Sequence, residues 1–211
     1  SGENCIAVAP GANYSLLPGS IIHFSKVIDE ADIIVMQAEI PYETIKRIAL
    51  LAKQKGKKVL FNPAPACLID EELMKAIDIL VVNELEAAFI SGIEYTGNNL
   101  EEIALSLLQA GARNAVITLG SQGVYMKNDK EIIQLPGYKV NAIDTIAAGD
   151  TFCGALAVIC AQREIDRDAL SFANAAAAIA VTRSGAQPSI PTLDEVKHFM
   201  LEKELALSFN F

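Results

Sequence analysis

Short apolar runs alternate along this chain with stretches in which apolar residues recur three or four positions apart. Runs at 6–8, 33–37, 58–62, 79–83 and 115–119 have the length of strands, whereas 21–30, 42–55, 71–76, 84–90 and 100–110 carry the helical period. Strand–helix–strand alternation with short connections predicts parallel pairing and right-handed crossovers, and so an α/β protein built on a mainly parallel sheet. Ile33-Ile34-Val35-Met36 and Ile79-Leu80-Val81-Val82 are apolar at every position, the pattern of strands covered on both faces. Residues 123–127 and 131–135 read as a hairpin turning at Asn128-Asp129-Lys130. The last third is helical in pattern, over 151–162, 166–183 and 192–204. No linker, repeat or low-complexity tract interrupts it, so a single domain is expected of the 211 residues.

Composition narrows the functions open to such a fold. A hydrophobic fraction of 52% without tryptophan suits an interior of Ala, Ile, Leu and Val. A net charge of −9 argues against nucleic acid or an anionic membrane surface as partner. It also means that a bound nucleotide must rely on backbone amides, helix ends and metal ions more than on a lysine cluster. Neither G-x-x-x-x-G-K-[ST] nor G-x-G-x-x-G occurs, which sets aside a P-loop and weakens a dinucleotide-binding reading. Cys5, Cys67, Cys153 and Cys160 are scattered, and His23 and His198 are the only histidines. Zinc-finger spacing and a Ser-His-Asp triad therefore lack support. Cys153 and Cys160, seven apart on one expected helix, read as small core residues sharing a face. With no secretory signal and no run of eighteen apolar residues, a soluble cytoplasmic protein is expected.

In an open parallel sheet, ligands bind beyond the carboxyl ends of the strands. Asn62, Asn83 and the stretch Thr118-Leu119-Gly120-Ser121-Gln122-Gly123 all follow strand candidates, so one rim should carry them. The densest chemistry lies at Asp144-Thr145-Ile146-Ala147-Ala148-Gly149-Asp150-Thr151-Phe152, where two acids bracket small residues just before a helical pattern. A helix start binds anions, because its first N–H groups lack intrahelical partners and the dipole is positive there. Asp150 in such a place suits a base that takes the proton of a hydroxyl attacking a phosphoryl group. On the segment alone, Asp150 as an ordinary helix cap is the simpler assignment. Asn83 and Glu86, three apart at a strand-to-helix turn, equally fit a capping box.

The D-T-x-x-A-G-D-x-F pattern at 144–152 resembles the C-terminal signature of the ribokinase-like (PfkB-type) carbohydrate kinases. Gly2-Glu3-Asn4 through Pro10-Gly11-Ala12-Asn13, Asn62-Pro63-Ala64-Pro65-Ala66, Asn83-Glu84-Leu85-Glu86 and Thr118 to Gly123 resemble segments of that family in the same order. So does the stretch from Asn174 through its alanines to Gly185-Ala186-Gln187-Pro188-Ser189. The similarity runs over essentially the whole chain and is strongest toward the members that phosphorylate ribose. Two departures stand out. Nothing matches the family's N-terminal glycine-rich sugar motif or the strands of its small lid, so the chain resembles the C-terminal two-thirds. Cys153 stands where Asn is frequent.

The resemblance implies a three-layer αβα sandwich around a mainly parallel sheet, truncated at its N-terminus, and ATP-dependent phosphorylation of a small sugar. Asp150 would be the general base, with Ala147, Ala148 and Gly149 as the anion hole. Asn83 and Glu86 would organise Mg²⁺ and phosphates through water, Thr118, Leu119, Gly120, Ser121, Gln122 and Gly123 would wall the ATP site, and Asn174 would lie near adenine. The resemblance further implies a monovalent cation, K⁺, held by the Asp144 carboxylate, carbonyls of Ile146, Ala180, Arg183 and Gly185, and an oxygen of Ser189. Without the family, Asp144 as a loop cap and Arg183 in a surface ion pair serve as well. Glu39 would hydrogen-bond the sugar. The full-length form would dimerise through the absent lid, and residues 1–211 alone would catalyse weakly. Another kinase of this family, or a non-catalytic nucleotide-binding module, is the alternative.

Overall fold

In a computed structural model of the chain, residues 9–203 are described. Six strands form one sheet in the order β1-β2-β3-β4-β5-β6: Ile33–Gln37, Lys58–Asn62, Ile79–Asn83, Asn114–Thr118, Val124–Asn128 and Ile132–Leu135. The first four pair parallel, with Gln37 level with Asn62 and Asn83 level with Thr118, so their carboxyl ends reach a common rim. α1 (Ser25–Glu30) precedes β1, and between the four strands run α2 (Tyr42–Gln54), α3 (Glu71–Met74), α4 (Glu84–Ser91) and α5 (Leu100–Gln109). The chain then continues through the β5–β6 hairpin to α6 (Ala148–Cys160), α7 (Arg167–Ala180) and α8 (Leu193–Glu202).

Two compact units divide the chain. The larger runs through Leu119 and includes Tyr125–Ile132. In it, Val59 and Phe61 of β2, Leu80 and Val82 of β3 and Ala115 and Ile117 of β4 share a core with Ile45, Leu73, Ile103 and Leu107 of the helices. Alternate strand residues, Leu60, Ile79, Val81 and Val116, are buried too. Strands with both faces buried are the mark of the layered α/β class. The smaller unit holds Gly120–Val124 and the chain from Ile133. Its α6 and α7 lie along each other, and Ala173, Ala176 and Ala180 of α7 with Leu156, Ala157 and Cys160 of α6 are buried. Alanine on a helix face permits close approach of the axes.

Three sequence expectations change. Residues 21–30 form not one helix but a 3-10 segment, Pro18–Phe24, followed by the short α1. Among the described residues β1 lies at one edge of the sheet and Val35 is 45% exposed, so its uninterrupted apolarity does not mean cover on both faces. The helix expected from residue 151 begins at Ala148, because the chain enters it through an αL residue that spacing alone does not reveal. The 6–8 strand lies outside the described residues.

Candidate active site

The larger unit presents a polar rim where β2, β3 and β4 end. Asn62 Nδ2 donates to the Val81 carbonyl at 2.8 Å, and Thr118 Oγ1 to the Val82 carbonyl at 3.3 Å. Asn83 begins α4 as its cap. Its Oδ1 accepts from the Glu86 N–H at 2.8 Å, while Glu86 Oε2 accepts from the Asn83 N–H at 2.9 Å. The spacing thus builds a complete capping box. Among the described residues nothing donates to Glu86 Oε1, and burial, helped by the charge of Glu84, pushes this carboxyl above its usual range. No group of three or more His, Cys, Asp and Glu side chains is poised to cage a metal among the described residues. One half-buried carboxylate beside two strand ends fits instead a cation that keeps most of its water, as Mg²⁺ does. Leu119 is buried behind this rim, and Gly120–Val124 belongs to the smaller unit.

Gly120–Gln122 forms a 3-10 turn closed by the Gly123 N–H donating to the Gly120 carbonyl at 3.1 Å. This turn presses onto the end of the hairpin. A Cβ on Gly123, whose φ is +102°, would overlap the Leu135 carbonyl oxygen, and one on Gly137 would overlap that of Ser121. Asn174, buried on α7, donates Nδ2 to the Pro136 carbonyl at 3.0 Å. Tyr138 next bonds Ser171 at 3.1 Å and meets the Phe199 ring edge-on at 5.2 Å. Turn and hairpin end therefore meet backbone on backbone, and side chains tie α7 to them. Ser121 and Gln122 stay exposed on the turn.

The start of α6 is the second focus of the smaller unit. Ala147 caps the helix at φ 61°, ψ 10°, the only non-glycine with positive φ among the described residues. A Cβ in that region costs roughly 1–2 kcal/mol, and such strain gathers where backbone direction matters for function. A methyl group cannot cap, so the first-turn amides receive no side-chain acceptor from it. The Ala148 N–H reaches the Thr145 carbonyl at 3.3 Å. Asp150 is the third residue of the helix, exposed, beyond the cap position first considered for it. Next to it, the buried Thr151 hydroxyl has no hydrogen-bond partner among the described residues.

Asp144 ties this loop to the one after α7. Its Oδ1 accepts from the Ile146 N–H and its Oδ2 from the Gly185 N–H, both at 3.0 Å, and these donors hold the carboxyl below its ordinary range. The Ile143 and Asp144 amides both bond the Val181 carbonyl, at 2.7 and 3.2 Å. The Arg183 N–H takes the Ala180 carbonyl at 3.1 Å, and the buried Ser189 hydroxyl donates to Ala186 at 2.6 Å. Among the described residues no donor reaches the carbonyls of Ile146, Arg183 and Gly185. One carboxylate with unused lone pairs, several free carbonyls and a buried hydroxyl form a set of hard, flexible oxygens. Such a set fits a weakly hydrated monovalent cation.

Glu39 sits exposed in the turn after β1, on the wall of an open groove of about 640 Å³ in the larger unit. Apolar Leu16, Ile21, Phe24, Ile34 and Ile48 make up much of its lining. Gly137 and Glu195 are absent from the residues singled out by sequence. Glu195 was legible as the fourth residue of Thr192-x-x-Glu195, a capping-box pattern, but nothing in that spacing pointed to its second partner, Arg183.

The chain matches the family described as pfkB family carbohydrate kinase over residues 1–193. It is 41% identical over 197 residues to a ribokinase of Staphylococcus aureus, covering 92% of this chain and 65% of that protein. A ribokinase structure from Thermotoga maritima superposes with a TM-score of 0.84 at 40% identity, over 95% of this chain and 66% of that one. The Arabidopsis thaliana ribokinase, in a structure with ribose and ATP, gives 0.87 at 28% identity, over 99% and 66%. This chain thus spans slightly less than two-thirds of the relatives it matches.

Proposed function

Because the chain belongs to the pfkB family of carbohydrate kinases, we propose that it transfers the γ-phosphoryl group of ATP to a sugar hydroxyl, converting D-ribose to D-ribose 5-phosphate. The observation that carries this reading is Asp150 in the first turn of α6, entered through a strained αL alanine that leaves the turn's amides without a side-chain cap. Asp150 takes the proton from the attacking hydroxyl. The amides from 147 to 149 hold the charge that develops on the transferring group, which suits a protein of net charge −9. Asn83 and Glu86 orient the phosphates at the rim, and a water-rich Mg²⁺ bound there would neutralise part of their charge. Thr118 to Gly123 wall the nucleotide, and Asn174 supports that wall by holding Pro136. A K⁺ ion beside Asp144 would stiffen the loop that presents the amides, without touching substrate. Glu39 accepts from sugar hydroxyls.

The coverage of relatives and the apolar groove beside Glu39 favour a second reading for residues 1–211 by themselves. They bind nucleotide but phosphorylate sugar poorly, since an open groove does not exclude water from the reacting hydroxyl. Asp150→Asn in the complete polypeptide tests the proposal. The expected result is a fall in kcat of at least roughly 10² with ATP affinity kept, the size of a general-base contribution. Unchanged turnover removes Asp150 from its role. A panel of ribose, deoxyribose, fructose and nucleosides decides the acceptor within the family.

A further inference from the structure

We infer that the Arg183–Glu195 pair positions the monovalent-cation loop, so that α8 sets how tightly the site beside Asp144 takes K⁺; this rests on the cation reading above. Arg183 Nη2 lies 2.6 Å from Glu195 Oε1 and Nη1 lies 3.4 Å from Oε2, the two-pronged geometry that fixes a guanidinium in direction as well as distance. Glu195 does not move freely on its side. Its Oε2 also accepts from the Thr192 N–H at 2.7 Å and from Thr192 Oγ1 at 3.1 Å, as half of the α8 capping box. Arg183 is thereby anchored to the first turn of a helix.

The anchored residue is itself part of the oxygen set. Its N–H holds the Ala180 carbonyl, its own carbonyl lies in a loop with no donor on it among the described residues, and two residues later the Gly185 N–H holds Asp144. Gly185 has φ +90°, a conformation that leaves the loop's direction to be decided by its anchors. The loop thus has three: the end of α7, the Asp144 carboxylate, and the Arg183 side chain on α8. As a source of stability the third is weak, since both side chains are partly exposed and solvent screens them. Its geometry acts instead on the position of the Arg183 and Gly185 carbonyls. Groups one shell out from a metal commonly change its affinity without touching it.

Thermal unfolding of the chain in KCl against choline chloride at matched ionic strength tests this without any turnover. In the unaltered chain, K⁺ should raise Tm with a defined half-saturating concentration. Glu195→Gln keeps an acceptor for Thr192 but loses the charge facing Arg183, and should need roughly tenfold more K⁺ for the same rise. Thr192→Ala removes one of the two Thr192 donors that hold Glu195 but keeps the charge pair with Arg183, so it should lower Tm in both salts and move the K⁺ midpoint less than Glu195→Gln does. Arg183→Lys, which keeps the charge but not the fork, should fall between. An unaltered K⁺ midpoint in Glu195→Gln overturns the inference while the cation site stands. Absence of any K⁺-specific rise in the unaltered chain overturns both the inference and the cation reading, whereas the kinase reading stands or falls separately on Asp150→Asn.

Discussion

Ala147 and Gly123 show how a single residue's backbone can matter more than its side chain. At Ala147 a methyl group is carried in a region that glycine would occupy freely, and the chain accepts the strain to start α6 where it does. At Gly123 no side chain is possible, because the turn and the end of the hairpin meet backbone to backbone. Gly123→Ala must open that contact and also place a Cβ at φ +102°. It should cost on the order of 3 kcal/mol, read as a lowered urea midpoint. A midpoint within error of the unaltered chain would mean that the turn does not bear on the hairpin as described. In the sequence, Gly123 is legible as a turn residue and Ala147 as a member of a motif. The reason for either is not legible there, since close approach and αL geometry are properties of two segments meeting, not of spacing within one.

Among the elements, β2, β3 and β4 fell within a residue of where their apolar runs predict, because buried parallel strands have few ways to satisfy their backbone. Helices were legible at capped ends. Asn83 and Thr192 each stand three residues before a glutamate, and both boxes form. Thr192→Ala should therefore cost about 1 kcal/mol in equilibrium unfolding. Illegible ends were those set by distant contacts, such as the start of α6 and the 3-10 entry to α1. Glu195 adds a pH signature to α8. Arg183 above all, with the Thr192 donors, lowers its carboxyl from 4.5 to about 2 in the folded chain. A carboxyl lowered on folding stabilises the fold above its unfolded value, and the benefit is lost as pH falls from there toward the folded value. The difference in urea midpoint between the unaltered chain and Glu195→Gln should be full near neutral pH and shrink from about pH 5 downward. A difference that stays constant to about pH 3 contradicts the pairing.

Taken whole, the residues proposed to handle phosphate fall in two sets, each readable within its own unit. Asn83, Glu86 and Thr118 share the rim of the larger unit, and Asp144 to Asp150 with Arg183 and Gly185 form the loops of the smaller. The family signature made the second set legible in the sequence. Its internal bracing through Asp144 was not, since residues 41 apart join there. The part proposed to meet the sugar is thinner. Glu39 stands on an open, largely apolar groove beside β1, and the relatives are about half as long again as this chain. Residues 1–211 alone should therefore bind an ATP analogue by calorimetry while making little sugar phosphate. Sugar phosphorylation by them at the rate of the complete polypeptide would show that the groove is not open during turnover. The most direct measurement is ³¹P NMR of the complete polypeptide with MgATP and D-ribose. A ribose 5-phosphate monoester resonance should grow in step with ADP, and vanish when Asp150 is replaced by Asn. ATP that binds and yet stays intact beside ribose and every other sugar offered would contradict phosphoryl transfer at this site.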